Sequence, residues 1–231
     1  MSAALQFRMG ALWGLPVMKF TLTYDGQLPS TGNGSRKVQK KWDVKKHFDP
    51  QLRELWDTHP ALREMRFRPY WPKSGGMFIE GHHSTTSDNR EVPKKSDEDI
   101  DLLEINECGG RKFFPLVRSS LLLTCGLKIL FLRKETPGKV YQGGDIDNRI
   151  KTLLDALCAP RDPGNVIRGD DTIADPIYCL LEDDSLISSL SIDTQTLLTG
   201  QNADVSEVRL VIEVDVRATQ SRVYNSLFLG D

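Results

Sequence analysis

Met18-Lys19-Phe20-Thr21-Leu22-Thr23-Tyr24 alternates in side-chain character and is rich in β-branched and aromatic residues, which predicts a strand; Asp25-Gly26 and Pro29-Ser30 then break it. Asp49-Pro50 carries a helix-start signal, a capping acid followed by proline at the first helical position, with Leu52, Leu55 and Trp56 on the inner side. From residue 60 to about 112 periodicity fades, and the segment is expected to be an irregular insertion with a mobile tip near Ser84 to Ser96. The apolar run Ser120 to Leu132 predicts a buried strand with Gly126 as a bulge. Ile150, Leu153, Leu154 and Leu157 then stand at i, i+3, i+4 and i+7, a helix with one face for a sheet. Pro160 to Asp175 is loop-like, with its strongest turn signal at Asp162-Pro163-Gly164-Asn165. Leu186 to Ile192 and Val208 to Val216 predict two more strands on either side of Thr199-Gly200-Gln201-Asn202. The expected class is α+β: one domain over residues 1–231, a mixed or antiparallel β-sheet packed by one principal helix, with the insertion at about 60–112.

Composition limits the function classes. In 231 residues, 27% are charged and 39% hydrophobic, which suits a soluble globular chain with a sizeable core. The net charge of -2 does not mark a uniformly basic nucleic-acid binder, so any basic surface must be local. The most basic stretch carries Arg36, Lys37, Lys40, Lys41, Lys45 and Lys46, in a loop running into a basic segment. It reads equally as a solvated face or as an arm that contacts phosphates. Trp42, Phe48 and Trp56 nearby are expected to pack rather than to stack on bases. Cys108, Cys125, Cys158 and Cys179 form no CxxC pair and predict buried reduced thiols rather than zinc or disulfide chemistry. His82-His83 lies in a polar loop without a matching ligand set. The apolar N-terminal run is broken by Gly10, Gly14 and Pro16, and no run reaches the ~18 apolar residues of a membrane span, so a cytoplasmic protein with no membrane partner is expected.

The candidate chemistry lies in Gly144-Asp145-Ile146-Asp147-Asn148-Arg149-Ile150-Lys151, where an extended segment turns into the amphipathic helix. Asp147 alone reads as a helix cap and Asp145 as a turn acid. Lys151, one helical turn after Asp147, reads alone as a surface lysine paired with Asp147 or Asp155. A second acidic pair, Asp183-Asp184, precedes the strand at Leu186, and Asp170-Asp171 is its rival as the site's second acidic contribution. Carboxylates converging from separate segments would suit a hard divalent ion, which takes oxygen ligands and keeps several waters.

This order of strand, loop, Asp-x-Asp-Asn with a lysine three residues after the Asn, connection, Asp-Asp and strand resembles the RusA family of Holliday-junction resolvases. The match is sharp over residues 121–157 and recognisable over 180–216; the chain is nearly twice the length of a typical member and its helix-to-Asp-Asp connection is longer. The resemblance implies a homodimeric, Mg²⁺-dependent endonuclease, Mn²⁺ being the alternative ion, that nicks branched DNA. It implies Asp145, Asp147 and Asp184 as catalytic metal ligands, with Asp183 as a substitute ligand or a group orienting one. Lys151 would contact phosphate or stabilise transition-state charge, and Asn148 would orient a ligand or loop. Two other readings carry different chemistry: a RusA-like module that binds nucleic acid or protein without catalysis, and a metal-dependent transferase that holds a nucleotide diphosphate through Asp-x-Asp.

Overall fold

The computed structural model describes residues 18–28, 35–67, 69–72, 99–134, 146–198, 207–222 and 224–225. Asp145, His82-His83, the stretch Ser84 to Ser96 and the connection at Thr199 to Asn202 lie outside the described residues. The first alternating segment forms β1 (Met18–Gln27), burying Met18, Leu22 and Tyr24. The run after Ser120 forms a short 3-10 turn and then β6 (Leu123–Arg133); β2 to β5 precede it in the chain and are placed below. The last two predicted strands are β8 (Ile187–Thr196) and β9 (Glu207–Ala218).

These four strands form one mixed sheet in the order β1-β9-β6-β8. β9 runs antiparallel to both β1 and β6, whereas β8 runs parallel to β6. Alternation along β9 buries Val208, Leu210, Ile212, Val214 and Val216 and turns the intervening residues outward. The β6–β8 register shifts between Cys125 and Gly126, the bulge expected at that glycine. A Cβ there would stand 2.6 Å from the Ser189 hydroxyl, so β8 lies close because residue 126 has none.

Two helices cover the buried face. The first, α1 (Ser35–Thr58), corrects the expected start at Asp49-Pro50, because Pro50 lies inside it. Unbranched lysine, arginine and glutamine side chains favour helix through the basic segment. Trp42, Lys45, Phe48, Asp49, Leu52 and Trp56 form a buried stripe at helical spacing that continues across the proline, so burial on both sides overrides the local break. Asp49 does not cap a helix: its carboxylate accepts from the Tyr178 backbone N–H at 2.8 Å and from Arg53 at 3.2 Å. Trp56 packs on Phe114, ring centroids 4.4 Å apart, and the three aromatics Trp42, Phe48 and Trp56 are core residues as expected. The other covering helix is α3 (Ile146–Leu157), which buries Ile150, Leu153, Ala156 and Leu157. With α2 (Pro60–Phe67) the described residues hold three helices, of which α1 is the longest, rather than one principal helix.

The region from residue 60 to 112 is more regular at its ends than expected. Besides α2 it contains β2 (Tyr70–Pro72), β3 (Asp99–Asp101) and β4 (Asn106–Cys108), and β5 (Arg111–Val117) follows. Leu62, Met65, Trp71 and Leu102 join the main core. Fully buried Arg118 secures the turn between β3 and β4 by donating to the carbonyls of Asp101, Leu102 and Glu104. Burial pulls its pKa down to about 10, which leaves it charged at neutral pH.

β7 (Ile177–Leu181), all five residues buried, joins β4 and β5 in a second sheet, parallel to β5. Its continuous apolar run has no period to announce it. The connection from α3 to β7 is fastened at several points. The Arg111 guanidinium reaches Asp175 at 2.7 Å and donates to the carbonyls of Asp170 (2.9 Å) and Ile173 (2.6 Å). Asp170 accepts from Trp42 Nε1 and from Lys46 Nζ, both at 2.9 Å, and from the backbone and hydroxyl of Thr172.

Bonds from Thr172, then Lys46 and Trp42, hold the Asp170 carboxyl well below the usual carboxylate range. A carboxyl depressed in the folded state stabilises above its unfolded pKa, about 3.9, and that contribution is lost as pH falls below this value. Asp170→Asn is therefore expected to lower the thermal midpoint at neutral pH, with the gap from wild type closing below about pH 4; thermal melts across pH 2–7 check it.

Candidate functional site

β6, α3 and β8 together decide where the acids meet. Because β8 is parallel to β6, the chain leaving β6 must cross back over the sheet, and α3 lies on that route. The turn that starts β8 consequently comes up beside α3. Between them runs a groove of ≈ 410 Å³ lined by Asp147, Lys151 and Asp155 from α3, Asp184 from the turn, and Leu190 and Ile192 from β8, with other α3 residues. Residues 147, 151 and 155 are successive i, i+4 positions, one polar stripe of a helix whose opposite face is in the core. Leu190, 43% exposed, gives the groove an apolar side.

The structure brings Asp147, Lys151 and Asp184 to one groove; Asp145, just before α3, lies outside the described residues. Asp184 and Lys151 are exposed, and neither side chain makes a hydrogen bond or ion pair with other described residues. Asn148 is exposed on the first turn of α3, and its backbone carbonyl accepts from the Thr152 hydroxyl at 2.9 Å.

The three consecutive acids 182–184 have separate tasks. Glu182 accepts from the backbone and hydroxyl of Ser119, each at 2.9 Å. Asp183 caps the 3-10 turn Asp184–Leu186 through Ser185 N at 3.1 Å and pairs with Arg161 at 3.0 Å. Bonds from Ser185, aided by the Arg161 charge, hold the Asp183 carboxyl below its ordinary range. Asp184, the first residue of the turn, is left facing the groove. Of the rival pair, Asp170 is consumed as the anchor of the connection, and Asp171 is exposed on that loop.

Beside the groove lies a second polar cleft of ≈ 240 Å³ that shares Asp155 and Asp184 with it. Lys41, Arg161, Asp162 and Asp183 line it further. Lys41 of α1 pairs with Asp155 at 2.5 Å, so Asp155 is held by the other helix and not by Lys151. The helical register already places Asp155 on the Asp147 and Lys151 stripe, a signal that extending the motif by one turn would have caught. Nothing local in the sequence marks Arg161.

The basic segment is helical and largely committed to internal work. Lys45, expected on a phosphate-contacting arm, is 5% exposed and donates to the carbonyls of Ala156 (2.7 Å) and Cys158 (2.5 Å). These are orphan acceptors at the C-terminus of α3, where a cation also meets the negative end of the helix dipole. Lys46 is spoken for by Asp170, and Lys41 by Asp155. Lys37 and Lys40 remain half-exposed on the first turns of α1, and the Arg36 side chain lies outside the described residues. Cys125 and Cys179 are buried; burial pushes the Cys125 and Cys158 thiols up to about 12, so neither is a nucleophile at neutral pH.

Among the described residues no three His, Cys, Asp or Glu side chains gather as a metal cage. What they offer is an oxygen-only half-site, Asp147 and Asp184 on facing sides of one groove, a donor set that fits a hard ion retaining most of its waters. No helix among the described residues is long and apolar enough to cross a membrane. Comparison with protein-family models, curated proteins and solved structures gave no match. The role found for Lys45 has a direct check: Lys45→Met strands the Ala156 and Cys158 carbonyls and is expected to cost about 2 kcal/mol in urea unfolding. A lysine that only met phosphates would leave the unfolding midpoint in place.

Proposed function

We propose that the chain is a metal-dependent, structure-selective DNA endonuclease that hydrolyses phosphodiesters in branched DNA, as its resemblance to Holliday-junction resolvases implies. The observation that carries this reading is the groove in which Asp147, Lys151 and Asp184 meet from two sides although 37 positions separate the two acids in the sequence. Independent helix and turn caps have no reason to share a groove with a lysine that makes no ion pair among the described residues.

Asp147 and Asp184, with Asp145 two positions before Asp147 in sequence, would hold Mg²⁺ or Mn²⁺. When bound, the ion supplies Lewis-acid polarisation of the phosphate and a bound water of lowered pKa. Lys151 on the same stripe offers a point charge to the non-bridging phosphate oxygens as negative charge develops. The exposed Leu190 flank gives an apolar surface for a sugar or base next to the reacting phosphate. As with the family it resembles, the active form would be a homodimer that presents two grooves to a four-way junction.

A second reading, a RusA-like module that binds without cutting, draws on one observation: Asp155 in the groove and Asp183 in the adjoining cleft are already neutralised by Lys41 and Arg161. The two readings separate on a single variant. Asp184→Asn, which changes an exposed side chain without hydrogen-bonded partners among the described residues, is expected to reduce Mg²⁺-dependent nicking of a synthetic four-way junction by about a thousandfold. Its melting temperature should stay at the wild-type value. Nicking by the variant at the wild-type rate would remove Asp184 from the site. Metal-independent junction binding by the wild type, without any nicking, would leave the binding module.

A further inference from the structure

Arg161 combines two properties that neither Lys41 nor Lys45, the other cations of its cleft, shows. Its backbone is fixed: Ala159 N–H donates to the Leu181 carbonyl at 2.8 Å, and Asp162 caps the next turn through Gly164 N at 2.9 Å. Its guanidinium is loose: the side chain is 70% exposed, and its ion-pair partner is the half-buried Asp183. Lys41 differs, because its 2.5 Å pair with Asp155 is largely enclosed and joins two packed helices. Lys45 is buried among backbone carbonyls. Exposed ion pairs contribute little to stability and exchange readily for a better-matched partner. A phosphodiester is such a partner, since a guanidinium can meet two of its oxygens at once.

We propose that Arg161 is a phosphate-binding residue for DNA, parked on Asp183 in the free protein and exchanged onto the backbone phosphate next to the one in the Asp147–Lys151–Asp184 groove. This rests on the nuclease reading for its substrate, but concerns binding rather than cutting. The cleft that contains Arg161 opens into the groove through their common walls, Asp155 and Asp184, so one strand can occupy both. Asp183 keeps the unoccupied guanidinium oriented over the cleft and is itself held in place by the turn it caps. Asp183 is therefore a competitor for Arg161, and removing its charge should help DNA rather than harm it.

The exchange predicts opposite effects from the two halves of one ion pair. The full chain is titrated with a fluorescent four-way DNA junction in Ca²⁺ at fixed ionic strength, with nicking in Mg²⁺ measured separately. Arg161→Gln is expected to weaken binding about tenfold. Arg161→Lys should recover part of that loss. Asp183→Asn, which retains an oxygen to cap Ser185, is expected to tighten binding roughly threefold. A purely structural pair would make both substitutions lower the melting temperature and leave affinity alone; that result, or unchanged affinity in Arg161→Gln, overturns the proposal even if the wild type nicks junctions. The opposed affinity changes without any nicking would support the Arg161 exchange and defeat the nuclease reading alone. No junction binding by the wild type defeats both.

Discussion

Everything at the candidate site depends on the parallel pairing of β8 with β6. Antiparallel neighbours can be joined by a tight turn, whereas parallel ones require the chain to travel back across the sheet before pairing. Here that return carries α3, the fastened connection and β7, and it delivers the Asp183–Leu186 segment to the side of α3 that faces away from the core. The close approach of β8 at Gly126 sets how near that segment comes. If β8 paired on another edge, Asp147 and Asp184 would be a helix cap and a turn acid with nothing in common.

A connection as long as that from Cys158 to Leu181 holds such a geometry only if it is fastened along its length. Its fixation comes from cations that an acidic chain spends internally. Arg111 gathers three points of the loop, Lys46 and Trp42 hold Asp170, and Lys45 seals the end of α3. The basic face of α1 is thus largely an internal clamp between the helix, the loop and α3. Buried or enclosed charges persist only when paired and hydrogen-bonded, and these are.

How much of this was legible in the sequence varies with the range of the forces involved. β1, α3 and β9 are readable because each buries one face and therefore has a period, and β6 is readable as a long apolar run; β8, which buries none of its residues, shows only through its β-prone Leu186 to Ile192 segment. β7 is not readable, since five consecutive apolar residues buried on both sides have no period and are too few to stand out as a run. Asp49-Pro50 is a strong local signal for a helix start, yet it lies inside α1 because Tyr178 N–H, 129 positions away, claims the Asp49 carboxylate. The same gap holds at the candidate site: spacing and resemblance single out Asp147, Lys151 and Asp184, which line one groove, while the burial of Lys45 and the pairing of Arg161 are tertiary facts. A run of lysines looks alike whether it faces solvent or closes a helix end.

The electrostatics of the groove give this division a consequence. A chain of net charge -2 does not attract a polyanion by its overall field, and acids at a reacting centre oppose the approach of phosphate further. Neutralisation must then be local and arranged in advance. Lys41 and Arg161 supply it on Asp155 and Asp183, and Lys151 lines the groove with Asp147 and Asp184. The paired acids Asp155 and Asp183 set the background charge, and Asp147 on α3 with Asp184 on the turn mark where the proposed cation would sit. The four carboxylates of the groove and the adjoining cleft therefore need not act alike: the difference between them lies in which helix or loop surrounds each, and that is a property of the crossover rather than of the acidic motif.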